Sequence, residues 1–216
     1  MVLGSREFES NCDFDGVRKR HECRSAEVEG GRITVVDSAG FTTEELNPDQ
    51  LIHEIRVLIQ LADPGPHVFV FVVKVGRLSR GDSHLLRLLS SLCDGELSEY
   101  SMVLFTHGDT LRDQSLHQKI QSSSCVSDLV SGCGGRYCVF DNTQTENRVQ
   151  VRKFMKLIDE IIRDNEGRHF SSDTFNTSEN FDGEDTKLRT TLWNRLQISV
   201  CGCFCHHVIP DRQEVL

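Results

Sequence analysis

The chain has 216 residues and a formal charge of −9, from 24 lysines and arginines against 33 aspartates and glutamates. This length suits one globular domain with or without a tail. The acidic balance argues against a nucleic-acid binder, which needs clustered positive charge. The longest apolar run, Val68 to Val73, is six residues, well short of the ~20 that cross a bilayer. No secretory signal is visible, so the nine cysteines are expected to be reduced thiols.

Strands are predicted where the chain is continuously apolar, at 32–37, 68–73, 102–105 and 136–140. Continuous rather than alternating apolar runs are typical of strands that are buried on both faces. Helices are predicted where apolar residues recur at helical spacing, over 51–59, 85–92, 113–121 and 151–162. The alternation of strands and helices indicates βαβ units, and therefore an α/β fold with a mostly parallel sheet flanked by helices.

The composition changes after Gly167, which is a plausible stop signal for the last helix. Residues 168–187 are polar and acidic without a period, which predicts a flexible linker. Residues 188–216 form a cysteine-rich tail that contains Cys201, Cys203 and Cys205. We interpret these cysteines first as reduced thiols and second as acceptors of palmitoyl chains that would support peripheral membrane association. Metal ligation is the third interpretation.

Polar residues directly follow the first predicted strand, in the sequence from Asp37 to Gly40. A carboxylate at the carboxyl end of a parallel strand lies at the mouth of the ligand crevice, where Asp37 can hold Mg²⁺ through water. The backbone N–H of Gly40 can meet a γ-phosphate after a sharp turn of the chain. A D-x-x-G pattern that stands alone is more often a simple turn.

Two further polar clusters follow later strands. Thr106, His107 and Asp109 come after the third strand. An ionised Asp109 would accept two N–H donors from one edge of guanine, which adenine does not offer; the plain alternative is a helix cap. Asp141 and Asn142 follow the fourth strand and either contact the same base or form an Asx turn. The order of the three clusters is that of a guanine-nucleotide domain.

These segments resemble the immunity-associated GTPases, the GIMAP group with an AIG-type G domain. Residues 37–41 (DSAGF) resemble its third nucleotide box, 106–109 (THGD) its fourth and 136–142 (RYCVFDN) its fifth. Residues 65–78, from G-P-H to V-G-R-L, resemble an element peculiar to the family. The resemblance covers residues 1–167 and implies a P-loop GTPase-like fold that binds GTP or GDP with Mg²⁺. The resemblance implies that Asp109 recognises the base and that Thr106 and His107 shape the base pocket. It also implies that Asp37 and Gly40 face the metal ion and the γ-phosphate.

The chain also departs from the family. The phosphate loop G-x-x-x-x-G-K-[ST] and the central strand before it are missing, so we expect an N-terminally truncated G domain. Arg18 stands where the family has a metal-binding Thr, and Asp141 replaces an Asn, which puts the role of Asn142 in doubt. Strands 32–37 and 68–73 would lose a shared neighbour, and each buried unpaired backbone group costs about 1–3 kcal/mol. Either the sequence is a fragment, or another segment fills the gap.

The resemblance implies a guanine-nucleotide-binding switch or scaffold with slow or absent hydrolysis, and no catalytic side chain is identified. It also implies homo- or hetero-oligomers of family members through the G domain, in the cytoplasm or at an intracellular membrane surface. If Met1 is the true start, we expect very weak GTP or GDP binding and no hydrolysis, because the phosphate cradle is missing. The alternative function is a nucleotide-free pseudo-GTPase that binds protein partners.

Overall fold

The computed structural model describes residues 22–37, 48–76, 86–88, 90–91, 95–112, 114–144, 147–171 and 200–207. Its strands are β1 (Glu22–Val28), β2 (Gly31–Asp37), β3 (Val68–Lys74), β4 (Ser101–Thr106), β5 (Tyr137–Val139) and β6 (Val200–His207). Its helices are α1 (Pro48–Leu61), α2 (Glu96–Glu99), α3 (Leu116–Gln121), α4 (Ser124–Gly132) and α5 (Arg148–Asp164), with a 3-10 turn at Gly108–Leu111. No helix in this described part is long and apolar enough to cross a membrane.

The six strands form one sheet in the order β1-β2-β6-β3-β4-β5. The neighbours β3, β4 and β5 are parallel, whereas the pairs β1–β2, β2–β6 and β6–β3 are antiparallel. Strands β2 to β5 therefore run in one direction, and β1 and β6 run in the other. The predicted α/β fold is confirmed, with two reversed strands that the apolar pattern did not indicate.

Alternate residues of the central strands belong to two different cores, one on each face of the sheet. In β3, Phe69 and Phe71 pack in the core that includes α1 and α4, while Val68 and Val70 pack in the core that includes α5. Helix α5 contributes one stripe to the second core, which consists of Val151, Phe154, Met155, Ile158 and Ile161. Both faces of β3 are therefore buried, as its continuous apolar sequence predicts.

The G-P-H element before β3, residues 65–67, contacts the segment that follows α5. Gly65 has φ +144°, and a Cβ built there would lie 2.1 Å from the carbonyl oxygen of Phe170. The backbone N–H of Phe170 donates to the carbonyl of Pro66 at 2.8 Å. The Phe170 ring then meets Phe69 and Tyr100 edge-on, with centroids 5.3 and 5.5 Å away. The core thus continues to Phe170, three residues past the predicted domain boundary at 167.

Strand β6 lies in the centre of the sheet, between β2 and β3. Its Phe204 is opposite Val35 of β2 on one side and opposite Val68 of β3 on the other. This is the position for which the sequence left a gap, so a segment of the predicted tail fills it. The predicted linker is described only as far as Ser171, and most of the tail also lies outside the described residues.

Candidate functional site

The predicted site residues that the structure describes lie at or just after the carboxyl ends of β2, β4 and β5. Lys74, the last residue of β3, is opposite Thr106, the last residue of β4. The ladder continues one step further, because the N–H of Val75 donates to the carbonyl of Thr106 at 2.9 Å. Strand β2 points the same way and ends at Asp37. The sheet therefore brings the ends of these strands, and the polar residues after them, to one edge.

The two ends of the candidate site, Asp37 and the Thr106–Asp109 loop, are well separated in the sheet. Asp37 and Val70 are both opposite Cys201 of β6, so Asp37 is level with Val70 and four residues short of Lys74. At about 3.3 Å per residue and 4.8 Å per strand, Asp37 lies about 13 Å along and about 14 Å across the sheet from Thr106. An extended ligand with different chemistry at its two ends, such as a nucleoside triphosphate, suits this separation.

The loop after β4 turns sharply and is held by its own hydrogen bonds. His107 adopts a left-handed conformation with φ +59°, which is uncommon for a residue other than glycine. Its carbonyl accepts the hydroxyl of Thr110 at 2.8 Å, and its Nδ1 lies 3.1 Å from the hydroxyl of Thr106. Asp109 lies in the following 3-10 turn with an exposed side chain. The turn thus presents this carboxylate to solvent at the edge of the sheet.

Gly108 joins this loop to the end of β5. Its N–H donates to the carbonyl of Phe140 at 2.9 Å. A Cβ at this position would lie 2.9 Å from Cγ2 of Val139 and 3.2 Å from the carbonyl oxygen of Phe140. Only glycine allows this approach without a shift of the neighbouring chain. The fourth and fifth predicted boxes are therefore fixed against each other by main-chain contact.

Asp141 forms the Asx turn that was the plain alternative in the sequence. One carboxylate oxygen accepts the N–H of Thr143 at 2.9 Å, and the other accepts the side-chain amide of Gln144 at 2.6 Å. The hydroxyl and N–H of Thr143 lower the pKa of Asp141 below its ordinary value. Both oxygens serve the turn, which is compatible with a structural role for Asp141. Asn142 lies next to it and is exposed, so its contact with a base stays a prediction.

The described residues could bind a magnesium ion only if a phosphate ligand supplied some of its oxygen ligands. Asp37 is half-buried at the end of β2, and Gly40 lies outside the described residues. Within the part of the chain that is described, no three histidine, cysteine, aspartate or glutamate side chains come together as a metal site. Because Mg²⁺ commonly uses one or two carboxylates and takes its other ligands from water and substrate phosphates, Asp37 alone suits a nucleotide-bound ion.

Sequence reasoning missed Lys74 at this edge, and it gave no role to Arg136, which lies at the opposite edge of the sheet. Lys74 is an exposed cation at the end of an otherwise apolar strand, level with Thr106. Its signal was present, because a charged residue that closes a buried strand marks the edge of the sheet. Arg136, in the predicted fifth box, is structural: its Nε donates to the carbonyl of Ser101 at 2.9 Å, and its Nη2 donates to the carbonyl of Ser98. It ties β4 to the start of β5.

Comparison with known proteins identifies the family of the chain. The profile of the AIG1 family matches residues 1–189. Immune-associated nucleotide-binding protein 9 of Arabidopsis thaliana is 28% identical over 182 residues, which are 81% of this chain and 53% of that protein. GTPase IMAP family member 8 of Mus musculus is 25% identical over 167 residues, 74% of this chain and 24% of that protein. The chain thus spans about half or less of these relatives' lengths. The family profile covers most of the chain, and the chain belongs to the AIG1 family.

Proposed function

We propose that this chain is a guanine-nucleotide-binding domain that acts as a switch or scaffold, with slow or absent hydrolysis. The observation that carries the proposal is the placement of Asp37 and the Thr106–Asp109 loop at the carboxyl ends of β2 and β4, with a separation that an extended nucleotide could span. The printed names of its relatives, a nucleotide-binding protein and a GTPase, support the same ligand class.

Asp109 is the residue that would select guanine. An exposed carboxylate has two acceptor oxygens and no donor, so it matches the two adjacent N–H groups on one edge of guanine. The hydrogen bonds of Thr106 and His107 hold the turn that presents Asp109. Gly108 keeps this turn against the end of β5, where Asn142 would complete the base pocket.

Asp37 would serve the phosphates, because it would hold Mg²⁺ through water. The exposed ammonium of Lys74 would add positive charge near the base end of the site, since Lys74 is level with Thr106. Phe41 follows the D-x-x-G sequence, and its apolar side chain cannot orient an attacking water as a glutamine does. This residue supports slow or absent turnover.

The proposal is tested first by denaturing the purified protein and chromatographing the supernatant for bound GDP or GTP. Fluorescent GDP is then titrated in competition with ADP and with xanthosine diphosphate. We expect GDP to outcompete ADP. In Asp109→Asn, an amide donor faces the guanine amine, so GDP should lose at least about tenfold in affinity while xanthosine diphosphate, which has a carbonyl there, gains.

The matched control is Asp128→Asn, which removes an exposed carboxylate from α4 outside the site. It should leave the preference for GDP over ADP unchanged. Equal competition by GDP and ADP in the unmodified protein would reject the guanine assignment. An unchanged preference in Asp109→Asn would show that another group reads the base.

The second candidate is a pseudo-GTPase that binds protein partners without nucleotide. It is favoured by one observation: β6 occupies the central position of the sheet, and it enters in the reverse direction. Absence of bound nucleotide and of any GDP competition would favour this candidate. Our proposal for the guanine-nucleotide-binding domain includes association with family members through the nucleotide face. It also includes a location in the cytoplasm or at a membrane surface. Attachment through acylated Cys201, Cys203 and Cys205 would require this strand to leave the sheet.

A further inference from the structure

Strands β2 and β3 are parallel and lie two strand spacings apart, about 10 Å, so they are not hydrogen-bonded to each other. Strand β6 lies in this groove and pairs with both of them over residues 32–37 and 68–71. No other described strand contributes to this part of the sheet. The groove is thus a site with two parallel walls and one antiparallel occupant.

The walls of the groove are among the most buried of the described residues. Ile33 and Val36 of β2 and Val70 and Phe71 of β3 are all fully buried, with 0% of their surfaces exposed. Backbone N–H and C=O groups in such surroundings need partners, because water does not reach them. An empty groove would leave two ladders unpaired inside the domain. An extended peptide segment is the ligand that satisfies both at once.

The occupant is joined to the rest of the domain by a long connection. Ser171 follows Phe170, which is bonded to Pro66 before the start of β3, and Val200 is opposite Phe71. The level of Pro66 and the level of Phe71 differ by about 17 Å along the strand. The 28 residues from 172 to 199 reach about 92 Å when extended. The connection therefore does not force β6 into the groove, and its own pairing must hold it there.

We propose that the groove between β2 and β3 is a binding site for an extended antiparallel peptide strand, filled in cis by Val200–His207. Recognition is by main-chain hydrogen bonds, as in strand addition to a sheet. The tether keeps the strand at high local concentration. The groove is separate from the loop after β4, although its β2 wall ends at Asp37, which is opposite Cys201. Its occupation makes Cys201, Cys203 and Cys205 part of a central strand.

A cross-strand disulfide in the full chain tests both the occupant and its register. Thr34 is opposite Cys205, and antiparallel partners have Cα atoms about 4.5–5.5 Å apart, within disulfide range. Mild oxidation of the variant Thr34→Cys should join the introduced thiol to Cys205 within one chain, a bond identified by peptide mass mapping. The matched control is Arg32→Cys, which lies opposite His207 and should not cross-link to Cys205.

Two outcomes would overturn the proposal. Absence of the bond to Cys205 in Thr34→Cys would mean that Val200–His207 does not occupy the groove in this register. A bond found only between two chains would make a second copy the donor. Isotope-labelled and unlabelled chains, mixed before oxidation, separate the bond within a chain from the bond between chains.

A proline in β6 tests whether the strand holds its neighbours. Cys203 is opposite Phe69, and proline at 203 removes a ladder donor. Hydrogen exchange in β2 and β3 of Cys203→Pro should be at least about tenfold faster than in the unmodified chain. A synthetic peptide of residues 198–209 should restore the protection in trans. The control, Gln213→Pro, lies beyond the strand and should exchange normally. Unchanged hydrogen exchange in Cys203→Pro would refute the proposed site. If this variant does not fold, the disulfide between Cys205 and the cysteine introduced by Thr34→Cys tests the proposal instead.

Discussion

The two halves of the sheet are assembled from the chain in different ways. In the parallel half, β3, β4 and β5 follow one another in sequence and pair in that order. In the antiparallel half, β1 and β2 form a hairpin with a two-residue turn at Glu29 and Gly30, whose φ values of +50° and +87° suit a tight hairpin. Among the described strands, this hairpin is hydrogen-bonded to the rest of the sheet only through β6. The parallel half is therefore built from neighbouring segments, whereas the other half depends on a strand more than 100 residues away.

The largest expected effect comes from the helix that lies under both halves. Phe154 of α5 is fully buried and packs in one core with Ile33 of the hairpin and with Val70 of β3. Phe154→Ala should lower the free energy of unfolding by about 3–5 kcal/mol, through lost burial and a cavity. Chemical denaturation with a hydrophobic-core probe and a backbone probe measures it. The exposed control Lys153→Ala should change it by less than about 0.5 kcal/mol.

If α5 unites the two halves, both probes should report one transition in the unmodified protein. Two separate transitions would mean that the halves unfold independently. A shift of only one of these transitions in Phe154→Ala would then identify the half that α5 stabilises.

The next effect tests the joint within the parallel half. Gly108→Ala places a methyl group 2.9 Å from Cγ2 of Val139 and 3.2 Å from the Phe140 carbonyl oxygen. We expect a loss of about 1–3 kcal/mol in stability, together with weaker GDP binding because the turn with Asp109 moves. Gly76→Ala, which meets nothing within 4 Å, is the matched control in calorimetry and GDP titration. Equal GDP affinity in both variants would separate this joint from the base pocket.

A smaller effect is expected from an ion pair that joins the hairpin turn to α5. Arg148 Nη2 lies 2.9 Å from Glu29 Oε1, and both side chains are partly exposed. Arg148→Ala should cost about 0.5–1 kcal/mol at low ionic strength and less in about 0.5 M salt, because exposed pairs are screened. A double-mutant cycle with Glu29→Ala isolates the pair. A coupling energy that does not fall with salt would contradict this explanation.

The smallest effect concerns the Asx turn after β5. Because the hydroxyl and N–H of Thr143 lower the pKa of Asp141, the ionised turn stabilises the folded state above the ordinary carboxyl pKa of about 3.9. This contribution is lost as the pH falls through the lowered pKa. A carboxyl titration by NMR should place Asp141 below a typical aspartate. Asp141→Asn should remove that part of the acid dependence, and a titration midpoint at or above about 3.9 would refute it.

The sequence predicts the parallel half better than the antiparallel half. Strands β3 and β4 are continuously apolar because both faces are covered, which makes them visible in a local pattern. Strand β1 (ECRSAEV) was missed because it lies at the sheet edge and buries little besides Val28. Strand β6 was missed because its glycine, cysteines and histidines are not typical strand residues, and its pairing depends on distant residues.

The candidate site shows the same limit. The ends of β2 and β4 could be predicted, so the positions of Asp37 and of the Thr106–Asp109 loop at the carboxyl edge followed from the sequence. The role of Gly108 could not, because it depends on the approach of another strand in space. The use of Asp141 by its own turn was one of two open interpretations, and local sequence does not rank them.

The reversed central strand also sets the order in which the domain can be finished on the ribosome. Strands β1 to β5 and helix α5 all precede residue 172, and β6 begins at residue 200. Until that point is synthesised, β2 and β3 present open edges on either side of an empty channel, and open strand edges attract other chains. Chains that end before residue 200 should therefore self-associate more readily than chains that include β6.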